Sequence, residues 1–444
     1  MLSENASARR WREHVLRLAV PVMVSNSTVS LVGIVDTAVM GRMGSPEWVA
    51  ATAVGAIIFS SIYWVFGFLR MATGGLVAQA TGQNNPRNSG RISSRALMLG
   101  IIGGLLLLSL HEPLLTIGLA AMEEDSQWQT LTAAYFNIRI LSAPATLCNY
   151  VLIGTLVGLQ RMGTVLALQL LLNLTNIFLN ILFFALTDWD IRGVAIATVI
   201  SEYITVVAGL WLLRRLLLPV ISGGQISAWL FDRQELSRYF RISGDLFIRT
   251  LCLTFAFYWM TVLSSRQGVA VLAANTVLLH MIHFAAHCMD GFSDATESLT
   301  GFAVGRRSTP ILMRAVRAAC ELGLVAAIIF AGIFATAGEL VINTLVTDPL
   351  SRSIAVHWLP WIVVAPILGI WSFLLDGIFI GATETASMRN SMIISLALFL
   401  LIAWASVPSL GNAGIWISYF TLLVVRSATL AWSWPKVVAA TSQP

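Results

Sequence analysis

Ionisable side chains lie inside several long apolar runs of this sequence, where each is costly unless it faces a partner or a cavity. Asp36 is the first, and no cation lies near it in the sequence. Apolar surroundings favour the neutral form of a carboxyl group, so we expect Asp36 to take up and release a proton. The alternative is a structural carboxylate that is hydrogen-bonded to neighbouring Ser or Thr side chains.

Two later runs carry polar faces. Residues spaced i, i+3, i+7 or i, i+4, i+7 share one face of a helix. The first face consists of Asn173, Asn176 and Asn180, and the second of Thr198, Glu202 and Thr205. Amides on such faces can simply hold helices together. The alternative is that the two faces and Asp36 complete a small polar chamber that contains Glu202.

The densest polar stripe lies further along the chain. It consists of His280, His283, His287, Asp290, Asp294 and Glu297. These residues fall within an arc of about 100° on a helix. They could relay protons or line a cavity, and packing polarity or a metal site are the alternatives. The stripe contains nothing that resembles a closed ligand set, so we expect no metal.

The elements that position these residues are membrane spans. Hydrophobic residues make up 57% of the chain and charged residues 11%, against roughly 25% charged residues in soluble domains. Runs of about 20 apolar residues suffice to cross a bilayer. We count twelve, at about 15–41, 51–80, 95–119, 131–158, 163–187, 193–218, 243–265, 270–303, 315–340, 357–383, 391–408 and 412–434.

The chain repeats itself after about 222 residues, half its length. Gly154 and Gly158 align with Gly377 and Gly381, and Pro144 with Pro366. A period this long indicates a duplicated domain, here six spans of the same orientation in each half. We predict an N-lobe at 1–213, a cytoplasmic linker at 214–243 and a C-lobe at 244–444. The linker is either a short interfacial helix or an ordinary connection.

The repeat also shows which residues of the two halves should lie at the same depth in the membrane. It places Arg70 level with Ser293, one turn from Asp290 and Glu297. We therefore predict an ion pair between Arg70 and one of these acids across the seam between the halves; the alternative is a partner within its own half. Asp376 is a further interior acid, and Ile153 takes its place in the first half. We assign Asp376 to the cavity or relay of the C-lobe.

Charge distribution sets the orientation. Arginines concentrate at the termini and after even-numbered spans, whereas the other loops carry only Arg42, Arg192, Arg266 and Arg352. The positive-inside rule then places both termini in the cytoplasm, and the chain in the inner membrane. The net charge of +5 reflects this topology and not a nucleic-acid partner. The four unpaired cysteines indicate apolar packing. Motifs of soluble enzymes are absent, so we expect no enzymatic activity.

These residues resemble a known family. The resemblance rests on the whole twelve-span duplication and on four segments: 33–41 around Asp36, 68–71, 290–297 and 376–392. They are similar to the multidrug and toxic compound extrusion (MATE) transporters, and to their DinF branch. The resemblance implies two six-helix lobes in a V, which export organic cations or amphipathic compounds in exchange for H⁺ or Na⁺. It implies a coupling site at Asp36, Asn176, Asn180 and Thr198.

One residue departs from the family pattern, because the family usually has an aspartate at the position of Asn180. The missing carboxylate weakens a Na⁺ site and leaves Asp36 and Glu202 as charged partners of a proton. We therefore expect a monomeric, proton-coupled multidrug antiporter with no cofactor besides its coupling ion. A flippase for lipid-linked sugars is the alternative. The interior acids, with Arg70 and Arg139 as the interior cations, suit cationic substrates better than phosphates.

Overall fold

The computed structural model describes residues 6–42, 46–119, 127–186, 191–224 and 226–442. Within these ranges the regular elements are helices, and a 3-10 turn at Ile140–Ser142 joins α6 to α7. The helices are α1 (Ala8–Arg42), α2 (Pro46–Val65), α3 (Phe68–Gly82), α4 (Pro86–Ser109), α5 (His111–Leu119), α6 (Gln127–Arg139), α7 (Ala143–Gly158), α8 (Met162–Leu186), α9 (Ile191–Ile221), α10 (Ile226–Leu230), α11 (Arg233–Arg266), α12 (Val269–Gly305), α13 (Thr309–Leu345), α14 (Pro349–Gly381), α15 (Thr385–Leu410), α16 (Asn412–Trp432) and α17 (Trp434–Ala440).

Most of these helices are membrane spans by length and composition. Eleven segments in the described ranges are long and apolar enough to cross a membrane. The remaining predicted span is α1, which has 35 residues and is therefore about 50 Å long. The helices agree with the predicted all-α membrane fold.

Three of the predicted spans are interrupted. The second is divided at Gly67 into α2 and α3, the third at Leu110 into α4 and α5, and the fourth at the 3-10 turn into α6 and α7. Pro144 explains the break in the fourth span, because it has no N–H to donate to the carbonyl group of Ile140. Its repeat mate Pro366 lies inside α14, which stays continuous.

The chain forms two compact units. The first unit is Val24–Ser237, and the second combines Met1–Met23 with Arg238–Pro444. This division differs from the predicted lobes, because the start of α1 belongs to the second unit. The predicted linker is also too long. The flanking helices extend past the apolar runs, so only residues 222–232, including α10, lie between α9 and α11.

The repeat is visible where helices end. In the described ranges, four non-glycine residues have positive φ, and they form two pairs separated by the repeat period. Asn84 (φ 55°) pairs with Arg307 (φ 53°), and Gln160 (φ 59°) with Thr383 (φ 57°). A residue in this left-handed conformation lets the next N–H bond to a carbonyl of the last helical turn and so ends the helix. The duplication therefore extends to the backbone of the turns.

Candidate functional site

Three predicted coupling residues of the first unit form one hydrogen-bonded chain. Asn180 Nδ2 donates to Asn176 Oδ1 at 3.1 Å, and Asn176 Nδ2 donates to Thr198 Oγ1 at 3.0 Å. Both asparagines are buried. This amide chain (Asn180, Asn176, Thr198) joins α8 to α9, as the spacing of the two polar faces predicts.

The third asparagine of the same face joins α8 to α1. Asn173 Nδ2 donates to Thr28 Oγ1 at 2.9 Å. Asp36 lies on α1 about two helical turns beyond Thr28, but its side chain is outside the described residues. The asparagine face of α8 and the helix that carries Asp36 therefore belong to one packed group.

Glu202 lies on α9, one turn after Thr198, and has partners of its own. Its Oε2 accepts a hydrogen bond of 2.6 Å from Asn149 Nδ2, which also donates to the Glu202 carbonyl at 3.1 Å. Arg139 lies within electrostatic range of Glu202 and 5.6 Å from the centroid of the Phe59 ring. The buried carboxylate thus has an amide donor on α7 and a cation on α6.

Arg70 lies on α3, half-buried in the first unit. It is within electrostatic range of Tyr150, which Glu202 and Arg139 also influence. The acids proposed as its partners, Asp290 and Glu297, belong to the second unit. The predicted pairing across the seam stays a prediction.

The second unit contains a buried charge cluster, which we define as Asp376, Arg249, Arg426 and Asp290. Oδ2 of Asp376 on α14 accepts hydrogen bonds from Arg249 on α11 and Arg426 on α16. Asp290 on α12 lies within electrostatic range of Arg426. Asp376, Arg249 and Arg426 are all buried. Four helices therefore contribute one charged group each to the same interior site.

One oxygen of this cluster is incompletely satisfied. Oδ1 of Asp376 is buried and has no hydrogen-bond partner among the described residues. A buried carboxylate oxygen without a donor is energetically unfavourable. Oδ1 is therefore available to accept a hydrogen bond from a group that enters the site.

Paired glycines set the helix spacing beside the cluster. A Cβ on Gly377 would collide with the carbonyl oxygen of Ser293, and one on Gly381 with that of Glu297. In the first unit Gly154 meets the carbonyl of Arg70 in the same way. The repeat places Arg70 level with Ser293, and this equivalence is confirmed by the contact that each makes.

The comparisons with known proteins point to one family. A family model described as MatE matches residues 21–182. DNA damage-inducible protein F of Escherichia coli is 37% identical over 421 residues, which is 94% of this chain and 91% of that protein. This chain belongs to the MATE family. Probable multidrug resistance protein NorM of Pseudomonas aeruginosa is 25% identical and matches 96% of this chain and 91% of its own length.

A solved structure shows the same fold. An outward-facing conformation of a multidrug resistance MATE family transporter superposes with a TM-score of 0.88 at 19% sequence identity. The match covers 97% of this chain and 96% of the other. The all-α fold predicted for a MATE transporter is thereby confirmed, and family members are transporters that handle small molecules in a membrane.

The predicted set of interior cations needs correction. Arg70 and Arg139 were expected to be its cations, but Arg249 and Arg426 are buried in the second unit as well. Both lie inside the predicted spans at 243–265 and 412–434. The test that singled out Asp376, an ionisable group in an apolar run, would have found them too.

Another ion pair was also missed. Asp245 on α11 is buried, and its carboxylate accepts hydrogen bonds from Arg389 Nη1 at 2.6 Å and Thr385 Oγ1 at 2.9 Å. The pair ties α11, three turns after its first residue, to the start of α15. Arg389 lies in the segment that carries the resemblance to MATE proteins, and its acid partner is 144 residues away, so no local pattern reveals it.

The residues of the stripe on α12 differ in burial, and their role as a cavity lining or relay stays a prediction. His280 and His287 are exposed, and His283 packs edge-on against Phe257 at 4.9 Å between ring centroids. Asp294 and Glu297 are buried near the glycine crossing with α14. In the part of the chain that the structure describes, no three His, Cys, Asp or Glu side chains could hold a metal ion.

The first prediction concerns the glycine crossing, where Gly377 and Gly381 of α14 contact the backbone of α12. A Gly377→Ala change should destabilise the protein by about 1–3 kcal/mol, since overpacking forces the backbones apart. Gly369→Ala on the same helix is the control, because a Cβ there would lie in ordinary van der Waals contact, 3.5 Å from Cε2 of Phe373. Thermal unfolding in detergent compares the two variants. Equal melting temperatures would show that the crossing tolerates a methyl group.

Proposed function

We propose that this protein exports organic cations or other amphipathic compounds in exchange for protons by alternating access. The observation that carries the proposal is membership of the MATE family along nearly the whole chain. Its relative in Pseudomonas aeruginosa is named as a probable multidrug resistance protein, which supports a broad range of substrates. We further propose a monomer in the inner membrane with both termini in the cytoplasm, as the arginine distribution indicates.

The proposed coupling site is in the first unit. A proton from the outside neutralises Asp36, the helices around it rearrange, and the substrate is released outward. Loss of the proton to the cytoplasm resets the cycle. Asn173 supports this assignment, because it links the asparagine face of α8 to the helix that carries Asp36.

The amide chain favours H⁺ over Na⁺ as the coupling ion. Asn180 stands where the family usually has an aspartate, and its side-chain amide donates to Asn176 Oδ1. A hard cation prefers charged oxygen ligands, but the oxygens of the amide chain are neutral, and Asn176 Oδ1 and Thr198 Oγ1 already accept hydrogen bonds. Proton exchange at a carboxyl group needs no such ligand set.

The flippase alternative would require free cationic groups for phosphates. The second unit does contain two additional buried arginines, but both donate to Asp376. Asp376 and Asp290 together balance the charge of the two guanidinium groups, so the cluster offers a phosphate no net positive charge. The charge cluster therefore supports export of cations over transport of a lipid-linked phosphate.

Proton release from reconstituted vesicles tests the proposal. Addition of a lipophilic cationic dye to vesicles that hold the protein should release protons within seconds, detected with a pH-sensitive fluorophore. An imposed pH gradient should drive dye transport without sodium. Dye transport that follows only a Na⁺ gradient would overturn proton coupling, and no transport of any cationic dye would overturn the substrate class.

A further inference from the structure

A cavity outside the proposed transport site lies between the start of α1 and α13. It has a volume of about 340 Å³, and its polar lining consists of Trp11, Arg12, Arg314, Arg317 and Glu321. All five residues belong to the second unit. The cavity therefore lies within one compact body.

The lining carries an excess of positive charge. Glu321 binds two of the three arginines, with Arg12 Nε at 2.7 Å from Oε2 and Arg317 Nε at 3.0 Å from Oε1. Arg314 is exposed and has no ion-pair partner among the described residues. One carboxylate thus faces three guanidinium groups, an arrangement that favours an anion.

A buried donor lines the same cavity. Trp11 is only 2% exposed, and its indole Nε1 has no hydrogen-bond acceptor in the part of the chain that the structure describes. Leaving such a donor unsatisfied costs free energy. An anionic oxygen bound in the cavity would provide the missing acceptor.

The cavity lies at the boundary of the membrane. On α13 the residues after Glu321 carry no charge from 322 to 338, and the next charged residue is Glu339. That segment is about 25 Å long, close to the thickness of the hydrocarbon core. Arg314 and Arg317 therefore lie at the depth of the lipid headgroups.

We propose that this cavity binds the phosphate group of an anionic membrane lipid such as phosphatidylglycerol. Arg12, Arg314 and Arg317 provide the charge, and their guanidinium groups suit phosphate oxygens. The indole N–H of Trp11 provides a neutral donor. The lipid would bridge the start of α1 and α13, and the site is independent of which compound the protein exports.

Binding of phosphatidylglycerol to the purified full-length protein, followed by native mass spectrometry, tests the site. The double variant Arg314→Gln/Arg317→Gln should bind about 30-fold more weakly, since each basic residue near an anionic surface is worth roughly 1 kcal/mol. Trp11→Phe keeps the ring but removes the donor, and should weaken binding about tenfold, as loss of a hydrogen bond to a charged group does. The control Arg306→Gln/Arg307→Gln removes the same charge from an exposed turn and should bind as the wild type does.

Two further binding measurements identify whether the bound phosphate belongs to a lipid. Phosphatidylcholine, which is zwitterionic, should bind much more weakly than phosphatidylglycerol, and inorganic phosphate alone should not compete at equal concentration. Equal lipid binding by the cavity variants and the control would overturn the site. Inorganic phosphate that displaces the lipid at matched concentration would overturn the assignment to a lipid.

Discussion

An Asp36→Asn variant should lose pH-driven efflux while still folding. Asparagine has nearly the shape of aspartate but can neither carry a negative charge nor exchange a proton, so the proposed coupling step is removed. Efflux of a cationic dye from vesicles under an imposed pH gradient measures the loss. We expect transport at the level of protein-free vesicles.

An exposed acid serves as the matched control for this change. Asp348 caps α14, and its side chain accepts hydrogen bonds from the N–H and hydroxyl groups of Ser351 at 2.8 and 2.6 Å. These bonds hold the pKa of Asp348 below its usual value, so it stays ionised at the pH of the assay. Asparagine is also a good helix cap, and Asp348→Asn should leave efflux unchanged.

Glu202 provides the discriminating variant. If Glu202→Gln abolishes pH-driven efflux and Asp36→Asn does not, the coupling proton resides at Glu202. Full efflux by the Asp36→Asn protein would remove Asp36 from the mechanism. The two acids differ in position, since Glu202 accepts its short hydrogen bond from Asn149 on α7 and Asp36 lies on α1.

Neutralising Asp376 should cause the largest loss of stability. An Asp376→Asn variant keeps two buried guanidinium groups without their carboxylate, and breaking a buried ion pair by removing one partner costs roughly 3–5 kcal/mol. We expect a large fall in the melting temperature of the purified protein in detergent. Asp348→Asn, which removes an exposed acid, should melt close to the wild type.

Compensating changes separate ion pairing from simple packing. If unpaired charge causes the loss, combining Asp376→Asn with Arg249→Met and Arg426→Met should restore much of the stability, because the two buried guanidinium groups are then removed together with the carboxylate that they share. A triple variant that is less stable than Asp376→Asn alone would show that the arginines stabilise the unit by another route. A single variant that melts like the wild type would show that the cluster contributes little.

The two units place different chemistry on related folds. In the first, neutral amides connect α8 to α9, and the main donor to Glu202 is an asparagine. In the second, two arginines bind one carboxylate. The pairing of Asp376 with two arginines supports our proposal that proton exchange takes place in the first unit.

Much of this architecture could be predicted from the sequence, because the signals are local or periodic. Apolar run length predicts the spans, and helical spacing places Asn176 and Asn180 on one face. The repeat predicts that Arg70 and Ser293 are equivalent, and both carbonyl groups meet a glycine of the partner helix. These features depend only on distance along the chain and on the geometry of a single helix.

The tertiary structure decided which residues are partners. Asp376 is 127 residues from Arg249 and 50 from Arg426, and Arg12 is 309 residues from Glu321. It also decided that the start of α1 belongs to the second unit. Periodicity shows which face of a helix is polar, but not which helix lies opposite. Which helix lies opposite a given face depends on the simultaneous packing of all the helices. The ion pairs and the cavity beside Trp11 therefore appear only in the folded chain.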